Sequence, residues 1–178
     1  MPKRTDRSPR ATTPPAPKAP EGESPGFPHT HFAIAIAVFF ADVLTKHEVL
    51  ARFAHGEVLE VCSWLNLTLV FNDGAAFSFL AGAGGVQTLL FSGAALAAVA
   101  IAFWWILSRK ATGYGAAGLA ALAGGAAGNL LDRLRLGAVV DFIDLHAAGL
   151  HWPAFNVADA AVCAGAVLFA LYCIKHRN

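Results

Sequence analysis

Four apolar segments, separated by short polar connections, limit the folds that this sequence can adopt. They run approximately over residues 31–45, 87–107, 114–131 and 157–174. A helix needs about 20 residues to cross the hydrocarbon core of a bilayer. The second segment reaches that length by itself, and the others reach it with flanking residues. Only 14% of the chain is charged, against about one quarter in a typical soluble domain. The pattern therefore predicts an α-helical membrane protein with four transmembrane helices.

The third apolar segment differs from the others because it is rich in Ala and Gly. Gly124 and Gly128 form a GxxxG motif within it, and small residues at this spacing let two helix backbones approach closely. We expect this segment to pack inside a helical bundle. The alternative is a buried helix of a soluble protein, but four such segments in 178 residues argue against it.

Two connections between the apolar segments have the pattern of β-strands. Leu65, Leu67 and Leu69 alternate with Asn66 and Thr68, and an alternation of period two predicts a strand. The stretch AVVDFIDLH (138–146) is β-branched and also resembles a strand. These features predict a small β-sheet beside the membrane. Two tryptophans, at positions 64 and 152, are equally consistent with interface anchoring and with ordinary packing.

The distribution of Lys and Arg predicts an orientation. With four spans, both termini lie on one side, and that side carries nine of the thirteen Lys and Arg residues. The positive-inside rule then places both termini in the cytoplasm. Residues 1–28 are basic and rich in Pro, which predicts a disordered cytoplasmic tail before a membrane domain over 29–178. The net charge of +1 gives no indication of a nucleic-acid partner.

Six aspartates fall at or beyond the predicted outer helix ends: Asp42, Asp73, Asp132, Asp141, Asp144 and Asp159. An acid near a bilayer is costly, so each is a candidate functional residue. Asp141 lies among apolar residues, and we favour function over an edge-strand role. Asp144, on the opposite strand face, is predicted to be solvated. Asp159 is either one half of a capping box with Asn156 or a reactive carboxylate at a helix start.

Other polar residues have structural interpretations. Asn129, Asp132 and Arg133 share a helix face, and we predict a clamp in which Arg133 pairs with Asp132 or with another carboxylate. Asp42 and Lys46 are spaced as an i, i+4 pair, which is usually a modest stabiliser. Asn72 precedes Asp73 and Gly74, a sequence typical of a turn.

The chemistry that these residues favour is that of paired carboxylates. There is no HExxH motif, no GxSxG motif, and the three cysteines do not follow a metal-binding or disulfide spacing. Two close carboxylates share one proton, so that one can activate water while the other polarises an amide. A proton-relay transporter and a non-enzymatic scaffold that uses GxxxG contacts are the alternatives.

Five motifs resemble those of lipoprotein signal peptidase (signal peptidase II), a family of bacterial intramembrane aspartic peptidases. They are ADVLTK (41–46), FNDGAAFS (71–78), GGAAGNLLDR (124–133), VVDFID (139–144) and FNVADAAV (155–162). Together the motifs are specific, whereas each alone is weak. The resemblance covers about residues 30–175. Asp73 beside Asn72 and the long Pro-rich tail depart from the family pattern.

The resemblance implies four transmembrane helices with an extracytoplasmic β-cradle, in the inner membrane, with the active site at its outer face. It implies cleavage of diacylglyceryl-modified prolipoproteins just before the lipid-bearing cysteine, inhibition by globomycin, and no metal or organic cofactor. It places the catalytic dyad on Asp141 and Asp159. Supporting or substrate-binding roles fall by motif position on Asp42, Lys46, Asn72, Asn129, Asp132, Arg133 and Asn156.

Overall fold

The structure is a computed structural model, which describes residues 29–74 and 85–176. The predicted tail over 1–28, the last four residues of the FNDGAAFS motif and the two C-terminal residues lie outside these ranges. The described helices are α1 (His29–Arg52), α2 (Val86–Leu107), α3 (Gly113–Leu136) and α4 (Val157–Lys175). The strands are β1 (Val58–Cys62), β2 (Leu65–Asn72), β3 (Val139–Ala147) and β4 (Leu150–His151). They form one antiparallel sheet in the order β1-β2-β3-β4.

Helix α3 is the centre of the bundle and packs against α1, α2 and α4. Half of its 24 residues are buried, and most of these are Gly or Ala. A Cβ atom on Gly124 would overlap the backbone carbonyl of Ala35 in α1. A Cβ atom on Gly118 would lie 2.8 Å from the carbonyl oxygen of Gly165 in α4. The structure thus confirms that this weakly hydrophobic segment packs inside the bundle through its glycines.

The sheet is attached to one end of the bundle by a small apolar cluster. Val49 of α1 packs there with Leu69 of β2 and with Val140 and Phe142 of β3. Both strands predicted from the sequence are present as β2 and β3, and they pair with each other. The three helix–sheet junctions within the described ranges (α1 to β1, α3 to β3, β4 to α4) are at this end. The polar ends of these helices therefore meet beneath the sheet.

Two of the described helices, α2 and α4, are long and apolar enough to cross a membrane by length and composition. Helix α1 carries Lys46, Glu48 and Arg52 in its second half, and α3 contains many glycines. The charged residues of α1 and the glycines of α3 lower the hydropathy of these two helices. The mostly helical architecture with a small antiparallel sheet agrees with the expected fold, while the number of four spans stays a prediction.

Candidate active site

The two aspartates predicted to react are connected by one asparagine side chain. Asn156 is the N-cap of α4, and it is fully buried. Its Nδ2 donates to Oδ1 of Asp141 at 2.7 Å, and its Oδ1 accepts from the backbone N–H of Asp159 at 2.9 Å. Residues from β3 and from α4 are therefore brought together at the end of the bundle.

Asp159 is held at the start of α4 by two N–H donors. The backbone N–H of Asn156 donates to Oδ2 at 3.2 Å, which completes the capping box expected from the sequence. Nδ2 of Asn129, in α3, donates to Oδ1 at 2.8 Å. Capping occupies part of the carboxylate but does not exclude another role, because the side chain is only partly buried.

Asp141 is almost completely buried in β3, with 2% of its surface exposed. Its Oδ2 accepts from Nδ2 of Asn72 at 2.9 Å, in addition to the bond from Asn156. Burial, together with the negative charge of Asp159, raises the pKa of Asp141 from 3.8 to about 6. The hydrogen bonds from the two asparagines and the charge of Lys46 oppose this rise. Asp141 thus holds a proton at a pH where an ordinary aspartate is ionised.

A buried ammonium group lies below the two acids. Lys46 is 2% exposed, and its Nζ lies 2.7 Å from Oδ2 of Asp42 and 2.7 Å from Oδ2 of Asp132. Nζ also donates to Oδ1 of Asn129 at 2.8 Å. The sequence predicted only the local pair with Asp42, so the contacts with α3 are new. They make Lys46 a connection between helices rather than a modest stabiliser within one.

Asp42 links three helices although its motif suggested a local role. Its Oδ1 accepts from the backbone N–H of Ala158, in the first turn of α4, at 2.8 Å. A Cβ atom on Gly128 would overlap its Oδ2, so this glycine of α3 makes room for the carboxylate. The GxxxG motif therefore has two functions: Gly124 admits a backbone, and Gly128 admits a charged side chain.

The predicted clamp at the end of α3 is present with a different cation. Asp132 pairs with Lys46, and its Oδ2 also accepts from the backbone N–H of Val140 in β3 at 3.2 Å. Arg133, which was predicted to pair with Asp132 or another carboxylate, instead donates to the backbone carbonyl of Asn129 at 3.4 Å and lies over the ring of Phe91. Asp132 therefore has Lys46 rather than Arg133 as its partner, because sequence neighbours on a helix point in different directions. The charges of Asp159 and Asp141 also act on Arg133, so its pairing with another carboxylate stays a prediction.

Asn72 combines the predicted turn with a contact to the site. Its Oδ1 accepts from the backbone N–H of Gly74 at 2.9 Å, and Gly74 has a φ of +88°. The turn thereby fixes the amide so that Nδ2 faces Asp141. A side chain that supports its own turn also reaches a candidate reactive group.

Asp144 is only partly solvated, because the sheet supplies partners for it. Only 13% of its side chain is exposed. Oδ2 accepts from Nδ2 of Asn66 at 2.9 Å, and the carboxylate pairs with Nδ1 of His151 at 2.9 Å. The hydrogen bond from Asn66 lowers the pKa of Asp144, with the contact to His151 acting in the same direction. The direct pairing of Asn66 with Asp144 in β2 and β3 explains the contact.

The contacts that the sequence did not indicate arise through strand register or through close packing. They are the contact of Asp42 with the backbone N–H of Ala158, the contacts of Asp144 with Asn66 and His151, and the contacts of Lys46 with Asn129 and Asp132. The alternation in 65–69 is a usable signal for Asn66, but it does not specify the register. In the described part of the chain, no group of three or more His, Cys, Asp or Glu side chains is placed to hold a metal ion.

The family model and two similar relatives indicate the same family. The family described as Signal peptidase (SPase) II matches residues 34–175. A lipoprotein signal peptidase of Ralstonia nicotianae is 48% identical over 130 residues, which are 73% of this chain and 75% of the relative. One of Pseudoalteromonas atlantica is 42% identical over 147 residues, which are 82% of this chain and 89% of the relative.

Solved structures show the same architecture. A bacterial membrane enzyme determined by the in meso method at 1.9 Å resolution superposes with a TM-score of 0.75 at 29% identity. The match covers 84% of this chain and 96% of that one. A second bacterial membrane enzyme, at 2.3 Å resolution, gives a TM-score of 0.74 at 28% identity, over 85% of this chain and 92% of that one.

Proposed function

The chain belongs to the signal peptidase II family, a family of lipoprotein signal peptidases, and from this premise we propose that Asp141 and Asp159 are its catalytic dyad. The substrate class is the diacylglyceryl-modified prolipoprotein, cleaved before the lipid-bearing cysteine. The observation that carries the proposal is the arrangement Asp141–Asn156–Asp159, in which one buried amide contacts the side chain of one acid and the backbone of the other.

The surroundings of the two acids suggest different roles. Asp141 is buried with a raised pKa, so it is the acid that keeps the shared proton and polarises the scissile carbonyl. Asp159 is partly exposed and accepts two N–H bonds, so it is the carboxylate that takes a proton from the attacking water. The proton that leaves the water then passes to the leaving amine, and Asp141 regains its own. Asn72 and Asn156 orient Asp141 throughout.

The membrane setting belongs to the same proposal. All four helices cross the inner membrane, both termini are cytoplasmic, and the sheet with the dyad lies at the outer face, where it meets prolipoprotein and lipid. Apolar exposed residues on α1, such as Ile36, Phe40 and Leu44, are favourable in contact with lipid. Helix α3 can cross without being strongly apolar because the other three helices cover it.

A gel-shift assay on matched precursors tests the substrate class. The purified protein should cleave a diacylglyceryl-modified prolipoprotein and leave uncleaved the same precursor whose acceptor cysteine is replaced by serine, which cannot carry the thioether lipid. Globomycin should block the reaction. Equal cleavage of both precursors would contradict the lipid requirement. Proton flux in liposomes without any cleavage would favour the transporter alternative.

Activity should decline as the pH rises through the pKa of Asp141. The raised pKa means that the neutral acid is populated below about pH 6 and is lost above it. If this proton is needed, kcat/KM should fall about tenfold per pH unit on the alkaline side. The free energy of unfolding should also decrease as the pH rises, because the folded protein binds the proton of Asp141 more tightly than the unfolded chain does. This stabilisation is complete below the ordinary pKa of 3.8 and is lost as the pH rises through about 6. Initial rates on the lipidated precursor from pH 4 to pH 9, a range of roughly two to three units around that value, would measure this. A flat profile would contradict the role of Asp141.

A further inference from the structure

We propose that Lys46 is a positioning residue of the reaction, which orients the Asn129 amide and through it the carboxylate of Asp159. Lys46 itself does not contact the dyad; it contacts Asn129, which donates to Asp159. The inference rests on the proposed dyad. It adds a requirement for the buried cation of Lys46, which is 83 residues away in sequence from Asn129, the residue whose amide it orients.

The lysine has no freedom to point elsewhere. An ammonium group has three N–H donors. Three acceptors surround Nζ at 2.7 Å, 2.7 Å and 2.8 Å, supplied by Asp42, Asp132 and Asn129. Each donor has an acceptor, and only 3% of the side chain is exposed. The direction of the bond to Asn129 is therefore fixed by the two carboxylates on the other sides.

The lysine also decides which way the Asn129 amide faces. Oδ1 of Asn129 accepts from Nζ of Lys46 and from Nδ2 of Asn156 at 3.2 Å. A flipped amide would direct N–H groups at both of these donors. Nδ2 is consequently turned toward Asp159, where it donates to Oδ1 at 2.8 Å. The oriented amide is one of the two N–H donors that hold the Asp159 side chain.

The charge of the lysine reaches the dyad as well. Lys46 is faced by Asp42 from its own helix and by Asp132 from α3. Its charge also acts on Asp141 of β3, which in turn interacts with Asp159 of α4 and with Arg133 of α3. The lysine charge lowers the pKa of Asp141. Removal of this charge should move the alkaline limb of the pH–rate profile to higher pH. The position of that limb reports the charge of Lys46 near the dyad, whereas a loss of kcat at unchanged KM reports its orientation of Asn129.

The test compares two variants that differ at the lysine. The first variant, Asp42→Asn, keeps the contacts of Lys46 with Asn129 and Asp132. The second is a double variant that carries Asp42→Asn together with Lys46→Met; it removes these contacts and deletes one charge of each sign. Relative to Asp42→Asn, the double variant should lose about 100-fold in kcat per folded enzyme, because small misplacements of a reacting group have effects of this size. KM should stay within about twofold, and the alkaline limb should lie at higher pH. The same kcat and the same limb in both variants would overturn the proposal.

Asn129→Asp gives a second test, which applies even if the lysine variants do not fold. It keeps an oxygen for Lys46 but replaces the donor to Asp159 by a second carboxyl oxygen. Activity should be low at neutral pH and should recover as the pH falls, since a protonated carboxyl group can donate again. A profile equal to that of the parent would overturn the proposal. Cleavage by the parent protein in the same assay separates this outcome from a failure of the peptidase function itself.

Discussion

Asp141→Asn and Asp159→Asn are each expected to lower the cleavage rate of a lipidated prolipoprotein by about 1000-fold or more. Acid–base catalysis by one positioned group contributes about 100- to 10,000-fold, and neither amide can exchange a proton with water or with the leaving amine. Both replacements are close to isosteric. The loss should therefore be in kcat, with little change in substrate binding.

Asp144→Asn is the matched control for this prediction. Asp144 lies three residues after Asp141 in the same strand, and its partners are Asn66 and His151 rather than the dyad. Its replacement should leave cleavage close to that of the parent. Gel filtration and circular dichroism in detergent would establish that all three variants are folded. Full processing by either dyad variant would refute the assignment, and equal inactivity of Asp144→Asn would show that the strand rather than the carboxylate is responsible.

Gly128→Ala is expected to destabilise the protein by about 2–4 kcal/mol, although alanine is ordinarily the better helix former. The added methyl group would overlap the carboxylate of Asp42. That carboxylate cannot move away freely, because it pairs with Lys46 and accepts from the amide of Ala158. A displaced Asp42 would leave the buried lysine with an incomplete set of partners, which adds to the cost of overpacking.

Gly93→Ala is the control that separates packing from helix propensity. Gly93 lies within α2, and a Cβ atom there would meet no other atom within 4 Å. This replacement should be neutral or stabilising by up to about 1 kcal/mol. Thermal unfolding in detergent would compare the two variants, with a decrease in Tm of about 5–10 °C for Gly128→Ala at this chain length. Equal Tm values would contradict the close contact between α3 and the Asp42 carboxylate.

The sequence was sufficient for those parts of the fold that depend on local pattern. Apolar runs predicted the helices, alternation predicted β2, β-branched residues predicted β3, and FNVAD predicted the capping box of Asn156 and Asp159. Each of these is a property of consecutive residues. The glycines of α3 indicated a central helix in the same way, through their spacing. The motifs indicated the candidate site residues, but not the contacts between them.

The remaining features depend on how distant segments meet. Lys46 and Asn129 are separated by 83 residues, so no local pattern specifies that one orients the other. The same limit explains where two predictions depart from the structure. Arg133 was predicted to pair with Asp132 or with another carboxylate, whereas Lys46 from another helix pairs with Asp132. Asp144 was expected to be solvated because alternation alone does not place the strand that carries Asn66 in register with β3.

The contribution of α4 to the site has a consequence for biosynthesis. Asn156 and Asp159 begin α4, which leaves the ribosome after Lys46 and Asp141 have been synthesised. A nascent chain that ends before residue 156 has Asp141 without the amide that orients it and without the second carboxylate. If Asp141 and Asp159 form the proposed dyad, proteolytic competence arises only when α4 is in place, so that incomplete chains without α4 carry no working peptidase.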